Sequence, residues 1–155
     1  MQLNETPVAQ RGSSLIEVMV ALTILAIGML GMIQLQIKAS QENQLAYYYS
    51  QAMYLADDLV ERMRANPSNP NGYLVAIGDV VNGVSADQCE TANCTSTQLA
   101  RWDLKKWKDN LAEMLPQGDG SVVRVGDRYI VNTQFDGSRG EVGAQPTSFL
   151  LEVSF

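Results

Sequence analysis

The order of apolar and polar residues divides this 155-residue chain into segments of different character. The first is a run of twenty uncharged, mostly apolar residues at positions 18–37. As an α-helix, twenty residues rise about 30 Å, which matches the hydrocarbon core of a bilayer. The run therefore predicts a transmembrane helix near the N-terminus, and Glu17 places a single carboxylate at its edge.

After this run the pattern becomes that of an amphipathic helix. Apolar residues recur at alternating spacings of three and four, at Leu45, Tyr48, Ala52, Leu55 and Leu59, with Met63 just beyond. Such a stripe is typical of a helix that packs one face against a globular domain. We expect the helix to end before Asn66-Pro67, because proline lacks an N–H and restricts the residue before it.

Residues 66–98 are rich in Asn, Ser, Gly and Thr, and this composition predicts a connecting loop. Cys89 and Cys94 lie in it with four residues between them, so their spacing is not that of a C-x-x-C redox pair. A four-cysteine zinc site would need two more thiolates. In an oxidising compartment we expect the pair to close a small disulfide loop worth about 2 kcal/mol, and free thiols are the alternative.

The last third of the chain predicts a short helix followed by three strands. Thr95-x-x-Gln98 has the spacing of a capping box. The helix stripe that follows consists of Ala100, Leu104, Trp107, Leu111 and Leu115, and it stops at Pro116. Strands are predicted at residues 122–125, 128–135 and 147–155, with a tight Gly126-Asp127 turn between the first two. The predicted fold class is α+β, a long N-terminal helix packed on a small antiparallel sheet with an additional short helix.

Composition and charge exclude several function classes. The formal net charge is −6, and the sequence has no basic stripe with which to bind nucleic acid phosphates. The absence of histidine removes the commonest general base and the commonest metal ligand. Since the sequence also lacks a nucleophile motif and a metal-spaced cluster, we expect no enzyme, no cofactor and no metal site.

One motif near the N-terminus points to a family. Arg11-Gly12-Ser13-Ser14-Leu15-Ile16-Glu17-Val18 resembles the class III signal of type IV pilins and pseudopilins. The resemblance implies that a prepilin peptidase cuts after Gly12, methylates the new N-terminus at Ser13, and needs a glutamate at the fifth mature position, which is Glu17. Ser13 departs from the phenylalanine or methionine usual at the first mature position.

The resemblance also divides the chain into four parts. These are a leader peptide at residues 1–12, a transmembrane or fibre-core half-helix at 13–37, an amphipathic half-helix at 38–65 and a periplasmic globular domain at 66–155. It implies that the protein first spans the inner membrane once, with its C-terminal domain in the periplasm. The protein then enters a pilus fibre on the cell surface.

Further motifs are similar to those of the PilV group of minor pilins. They are the continuation from Val20-Ala21-Leu22 through Gly28-Met29-Leu30-Gly31, then Trp102-Asp103-Leu104-Lys105-Lys106-Trp107 and Leu115-Pro116-Gln117-Gly118-Asp119-Gly120. This similarity implies a minor pilin whose partners are other minor pilins and the major pilin. Its implied role is to start or cap the fibre.

Glu17 has two interpretations at this stage. Ser14 and Glu17 have the S-x-x-E spacing of a capping box, which needs no partner molecule. Alternatively, the carboxylate pairs with the charged N-terminus of a neighbouring subunit and so directs assembly. The second interpretation is favoured by the whole signal, and the two do not exclude each other.

Three alternative functions remain open from the sequence. One is the I-type pseudopilin of a type II secretion system, whose N-terminal helix is similar. Another is a membrane-anchored enzyme, against which the missing catalytic residue types argue. The third is a membrane-anchored sensor or adhesion module that keeps its first twelve residues and never leaves the membrane.

Overall fold

The computed structural model describes residues 14–83, 87–90, 93–138, 140–141 and 143–154. For Asp87 and Gln88 it describes the backbone only. The elements, in chain order, are helix α1 (Leu15–Ala65), a 3-10 helix (Pro70–Tyr73), helix α2 (Asp87–Glu90), helix α3 (Ser96–Met114) and strands β1 (Asp119–Val125), β2 (Arg128–Phe135) and β3 (Thr147–Ser154). This arrangement confirms the predicted α+β fold class. The chain divides into two compact units, Met1–Glu42 and Asn43–Phe155.

In the second unit, α1 supplies one wall of the hydrophobic core. Ala52, Leu55, Leu59 and Met63 are fully or almost fully buried, which confirms the predicted stripe. Ala56 and Val60 are buried beside them and make the stripe wider than expected; Leu45 and Tyr48 pack against the core more peripherally. The helix ends at Ala65, directly before the Asn66-Pro67 dipeptide that predicts its end.

Helix α3 lies against this core through the predicted stripe. The Thr95 side chain accepts from the Gln98 backbone N–H while the Gln98 side chain accepts from the Thr95 N–H, so the capping box is present. Trp107 is fully buried, and its indole Nε1 donates to the carbonyl of Leu55 on α1 at 2.9 Å. Trp102 is buried off the stripe, with Lys106 Nζ 4.8 Å from the centre of its ring.

The three strands form an antiparallel sheet in the order β1-β2-β3. Alternate side chains of β2, at Tyr129, Val131, Thr133 and Phe135, face the core and are buried. This alternation is expected for a sheet that is covered on one face only. The predicted residue Phe155 lies outside the described residues.

Strand β1 begins at Asp119, three residues earlier than the sequence predicts. The run Gly118-Asp119-Gly120 has the composition of a turn, but in the structure Gly120 pairs with Thr133 in β2. A Cβ at position 120 would lie 2.4 Å from Trp107 Cη2, so only glycine lets the strand approach the ring this closely. Core packing therefore overrides the local turn signal.

The segment between α1 and α3 is more ordered than the predicted loop. It contains the 3-10 helix, and Val75 then forms a two-hydrogen-bond bridge with Val122 of β1, with N···O distances of 3.1 and 2.9 Å. Tyr73 is fully buried in the core. The loop prediction was wrong for these residues, because the segment gains its structure from contacts with the core and with β1, which local composition does not report.

Candidate functional site in the N-terminal helical segment

The first part of α1 is apolar on every side. The large apolar side chains from Leu15 to Ile37 are between 49% and 78% exposed. The most apolar stretch of 18 consecutive residues in this helix contains no buried residue. By length and composition, α1 is the one candidate membrane span among the described residues. A surface of this extent in contact with water is unfavourable, so the segment requires lipid or other protein around it.

Glu17 lies in the first turn of α1. Its backbone N–H donates to the Ser14 carbonyl at 2.9 Å, and the Val18 N–H reaches the same carbonyl at 3.3 Å. Within the described residues, no side-chain hydrogen bond joins Ser14 and Glu17, so the expected capping box is not formed. The structure therefore does not support the capping interpretation of Glu17.

The Glu17 carboxylate is the only acidic group from Ser14 to Gln41. No described residue makes a hydrogen bond or ion pair with it. A charge at the centre of a membrane span costs about 2.5–3.5 kcal/mol, and less at the edge of the span. The two residues of the predicted cleavage site, Gly12 and Ser13, lie outside the described residues.

Cys89 and Cys94 form a disulfide, as the sequence predicts, with their Cα atoms 5.2 Å apart. Cys89 lies in α2, and Cys94 directly precedes Thr95, the N-cap of α3. Glu90 of α2 also makes an ion pair with Lys106 of α3 at 3.5 Å. The disulfide therefore fastens the end of the connecting segment to the start of α3.

We expect a Cys89→Ser, Cys94→Ser double variant to fold but to lose about 2 kcal/mol of unfolding free energy, because the disulfide closes only a short loop in the unfolded chain. Urea unfolding of both proteins in the same detergent measures this difference. The oxidised wild-type protein should also show no thiol that reacts with a labelling reagent before reduction. Rapid labelling of both cysteines in the native protein would contradict the pairing.

A buried polar cluster joins the end of α1 to the connecting segment and to α3. Asp103 is only 4% exposed, and it accepts from Tyr73 Oη at 2.7 Å and from Arg62 Nη1 at 3.1 Å. Arg62 also donates to Asp58, one turn earlier, at 2.8 Å. Burial, together with the hydrogen bond to Asp103, raises the pKa of Tyr73 far above its ordinary value, so the phenol stays protonated and donates.

This cluster was not predicted from the sequence. Its only sequence signal is the i, i+4 spacing of Asp58 and Arg62, which is equally typical of an exposed helix face. Arg62 and Asp58 are partly exposed, but the cluster contains no histidine or thiol, so we assign it a structural role. Among the described residues, no group of three or more His, Cys, Asp or Glu side chains could hold a metal ion.

The loop between β2 and β3 lines one side of a cavity of about 380 Å³ that is open to solvent. Asp136 organises the loop: its carboxylate accepts from the Ser138 hydroxyl at 2.6 Å, from the Ser138 N–H at 2.8 Å and from the Gly140 N–H at 3.0 Å. The Ser138 hydrogen bonds, and then that of Gly140, lower the pKa of Asp136 below its ordinary value. The loop therefore keeps a negative charge at neutral pH.

Comparison with known proteins bears directly on the N-terminal segment. Residues 8–33 match the family model described as the prokaryotic N-terminal methylation motif, and residues 34–105 match the Tt1218-like model, described as type IV pilin Tt1218. No curated protein and no solved structure matches the chain. The first matched range contains Gly12, Ser13 and Glu17, and the second contains the core stripe of α1 and the disulfide.

Proposed function

We propose that this chain, which is a type IV pilin-like protein, acts as a minor pilin of a type IV pilus. The observation that carries the proposal is the form of the N-terminal segment. It is apolar on all sides, it has one carboxylate at its edge, and it is joined to a separate unit with its own core. Such a segment suits a subunit that lies first in a membrane and later among the helices of other subunits.

The methylation motif implies processing by prepilin peptidase and assembly into fibres. In the proposed sequence of events, cleavage after Gly12 leaves the apolar helix attached to the mature protein and frees an amine at Ser13, which is methylated. The globular unit lies in the periplasm at this stage. Extraction from the inner membrane then exchanges lipid around the segment for the apolar segments of neighbouring pilins.

In this mechanism Glu17 determines how a subunit aligns with its neighbour in the fibre. A carboxylate that leaves water for an apolar surrounding needs a compensating positive group. In a bundle of N-terminal helices, the positive group available at that depth is the N-terminal amine of a neighbouring subunit. Pairing of the two charges then favours the register in which each subunit joins its neighbour.

We propose that the neighbours are the major pilin and other minor pilins, and that the subunit helps to start or cap the fibre. The Gly28-Met29-Leu30-Gly31 continuation and the paired cysteines favour this assignment over an I-type pseudopilin, and the similarity of residues 102–107 and 115–120 to the PilV group supports it. In the structure these residues serve the fold, since Trp107 fills the core and Gly120 allows β1 to approach it. The proposed role is therefore non-enzymatic and depends on contacts along the fibre.

Processing tests the proposal directly. In cells that contain a prepilin peptidase, we expect a mature protein that begins at Ser13 and carries an N-methyl group, measured by intact mass. Gly12→Asp should abolish cleavage and leave the full-length precursor in the membrane. Ala9→Asp adds the same charge three residues earlier in the leader, and we expect it to be cleaved normally.

A wild-type mass that still includes residues 1–12 would overturn the assignment and favour the uncleaved sensor or adhesion module. Recovery of the mature protein in sheared pili distinguishes a minor pilin from a pseudopilin. If the protein is cleaved but is found only with a secretion system, the pseudopilin alternative is correct.

A further inference from the structure

The two outer edges of the sheet differ. The edge of β1 is partly covered, because Val75 exchanges two backbone hydrogen bonds with Val122, and the Arg124 side chain donates to Asn71 Oδ1 at 3.2 Å. The edge of β3 has no backbone partner among the described residues. An open edge presents a row of unpaired N–H and C=O groups to any extended chain.

The hydrogen-bond pattern identifies the backbone groups on the open edge. Val122 directs both its N–H and its C=O towards Val75, so its pairing with Val131 in β2 is of the non-hydrogen-bonded type. The backbone groups of Val131 therefore point towards β3, where its partner is Leu151. The backbone groups of successive residues in a strand point to opposite sides, and those of Leu151 point towards β2. The backbone groups that point outward from β3 are therefore those of Ser148, Leu150, Glu152 and Ser154.

The side chains of β3 do not protect this edge. The strand, Thr-Ser-Phe-Leu-Leu-Glu-Val-Ser, contains no proline or lysine, and its one charged side chain, Glu152, is ion-paired with Arg128 of β2 at 2.7 Å. Phe149 and Leu151 face the core but are only partly buried, whereas their partners in β2, Thr133 and Val131, are fully buried. A further strand beside β3 would cover these two side chains.

We propose that β3 is a docking edge for an extended segment of a different protein, which joins the sheet as a fourth strand. Backbone hydrogen bonds to Ser148, Leu150 and Glu152 provide the affinity, and an apolar residue of the segment covers Phe149 and Leu151 on the core side. This edge is a property of the sheet alone and does not depend on events at the N-terminus. Its test and the processing test can therefore fail separately.

Charge defines the kind of segment that fits. Glu152 is compensated by its ion pair with Arg128 at 2.7 Å, so the excess negative charge of residues 136–154 comes from Asp136 and Glu141 against Arg139, a net charge of −1, in a chain whose formal charge is −6. Charge complementarity therefore favours a segment that carries lysine or arginine. A second copy fits poorly, because it carries the same formal charge of −6, and the β1 edge of its sheet is already bonded to Val75.

The experiment uses the full chain in detergent micelles and two synthetic peptides as probes. Both peptides alternate valine and threonine over eight residues; one carries lysine at each end and the other carries glutamate. With the lysine peptide, we expect hydrogen exchange at the outward amides of Leu150 and Glu152 to slow at least tenfold. The amides of Leu151 and Val153, which already bond to β2, should not change, and the glutamate peptide should have little effect.

Leu150→Pro is the matched variant, because it removes an outward N–H while keeping the bonds to β2, and proline is tolerated on an exposed edge. It should abolish the protection, whereas Leu150→Ala, which keeps the N–H, should retain it. If Leu150→Pro loses the native protection of Leu151, Ser148→Pro replaces it as the test.

Three results would each overturn the proposal. One is the absence of peptide-induced protection, and another is equal protection by both peptides. The third is slow exchange of the outward amides in the chain alone. If that slow exchange depends on protein concentration, the occupant is a second copy; if it does not, the chain covers its own edge.

Discussion

Glu17→Gln should enter the membrane and be cleaved like the wild-type protein, yet be depleted at least tenfold from sheared pili. Glutamine keeps the size and polarity of the side chain but removes the charge. A tenfold depletion corresponds to about 1.4 kcal/mol, a loss expected when the N-terminal amine of the neighbouring subunit has no carboxylate to pair with in an apolar surrounding. Quantitative immunoblots of membrane and pilus fractions measure the ratio.

The structure supplies the control for this experiment. Glu42 is an exposed carboxylate on the same helix, and Glu42→Gln removes the same charge outside the apolar segment. We expect its incorporation to equal that of wild type. Because the start of α1 uses the backbone of Ser14, Glu17→Gln leaves the helix end intact. Normal incorporation of Glu17→Gln would refute charge pairing while leaving the pilin-like assignment unchanged.

Trp107→Ala should cost about 3–5 kcal/mol of unfolding free energy, the usual range for removing a fully buried large aromatic side chain. Its ring fills the space between α1, α3 and Gly120 of β1, and its indole N–H is bonded to the Leu55 carbonyl. The midpoint of thermal unfolding should fall by roughly 10–20 °C for a unit of this size. Urea and thermal unfolding followed by circular dichroism measure both quantities.

Two further variants test whether this loss of unfolding free energy comes from the core. Trp107→Phe keeps an aromatic ring, so it should lose less than half as much. Trp102→Ala makes the same substitution on the same helix, but Trp102, although buried, lies outside the core cluster and has Lys106 over its ring. We expect a loss of about 1–2 kcal/mol there. Equal losses at positions 102 and 107 would contradict a core centred on Trp107.

The sequence predicted those features that depend on neighbouring residues along the chain. The spacing of Leu55 and Leu59 indicated the core face of α1, and Thr95 with Gln98 gave the start of α3. These signals are local, because helix periodicity and capping act within a few residues. The disulfide was also predictable, because Cys89 and Cys94 are the only two cysteines.

The missed features depend on residues that are distant in the sequence. Tyr73 is buried because Asp103, thirty residues later, accepts its hydroxyl hydrogen bond. Gly120 is in a strand because Trp107 and Thr133 lie on either side of it. At Glu17 the local signal itself was misleading, since S-x-x-E spacing permits a capping box, but no side-chain hydrogen bond joins Ser14 and Glu17 among the described residues.

The order in which the core is assembled also has a consequence for the timing of folding. Within the sheet, each strand pairs with its neighbour along the chain, and such hairpins form in about 1–10 μs. The contact of Ala52 with Thr133 instead joins residues 81 positions apart. At about 5–20 residues per second, a ribosome needs roughly 4–16 s to make that stretch. During this interval the apolar stripe of α1 is already made but its sheet is not, so the stripe is without its native cover.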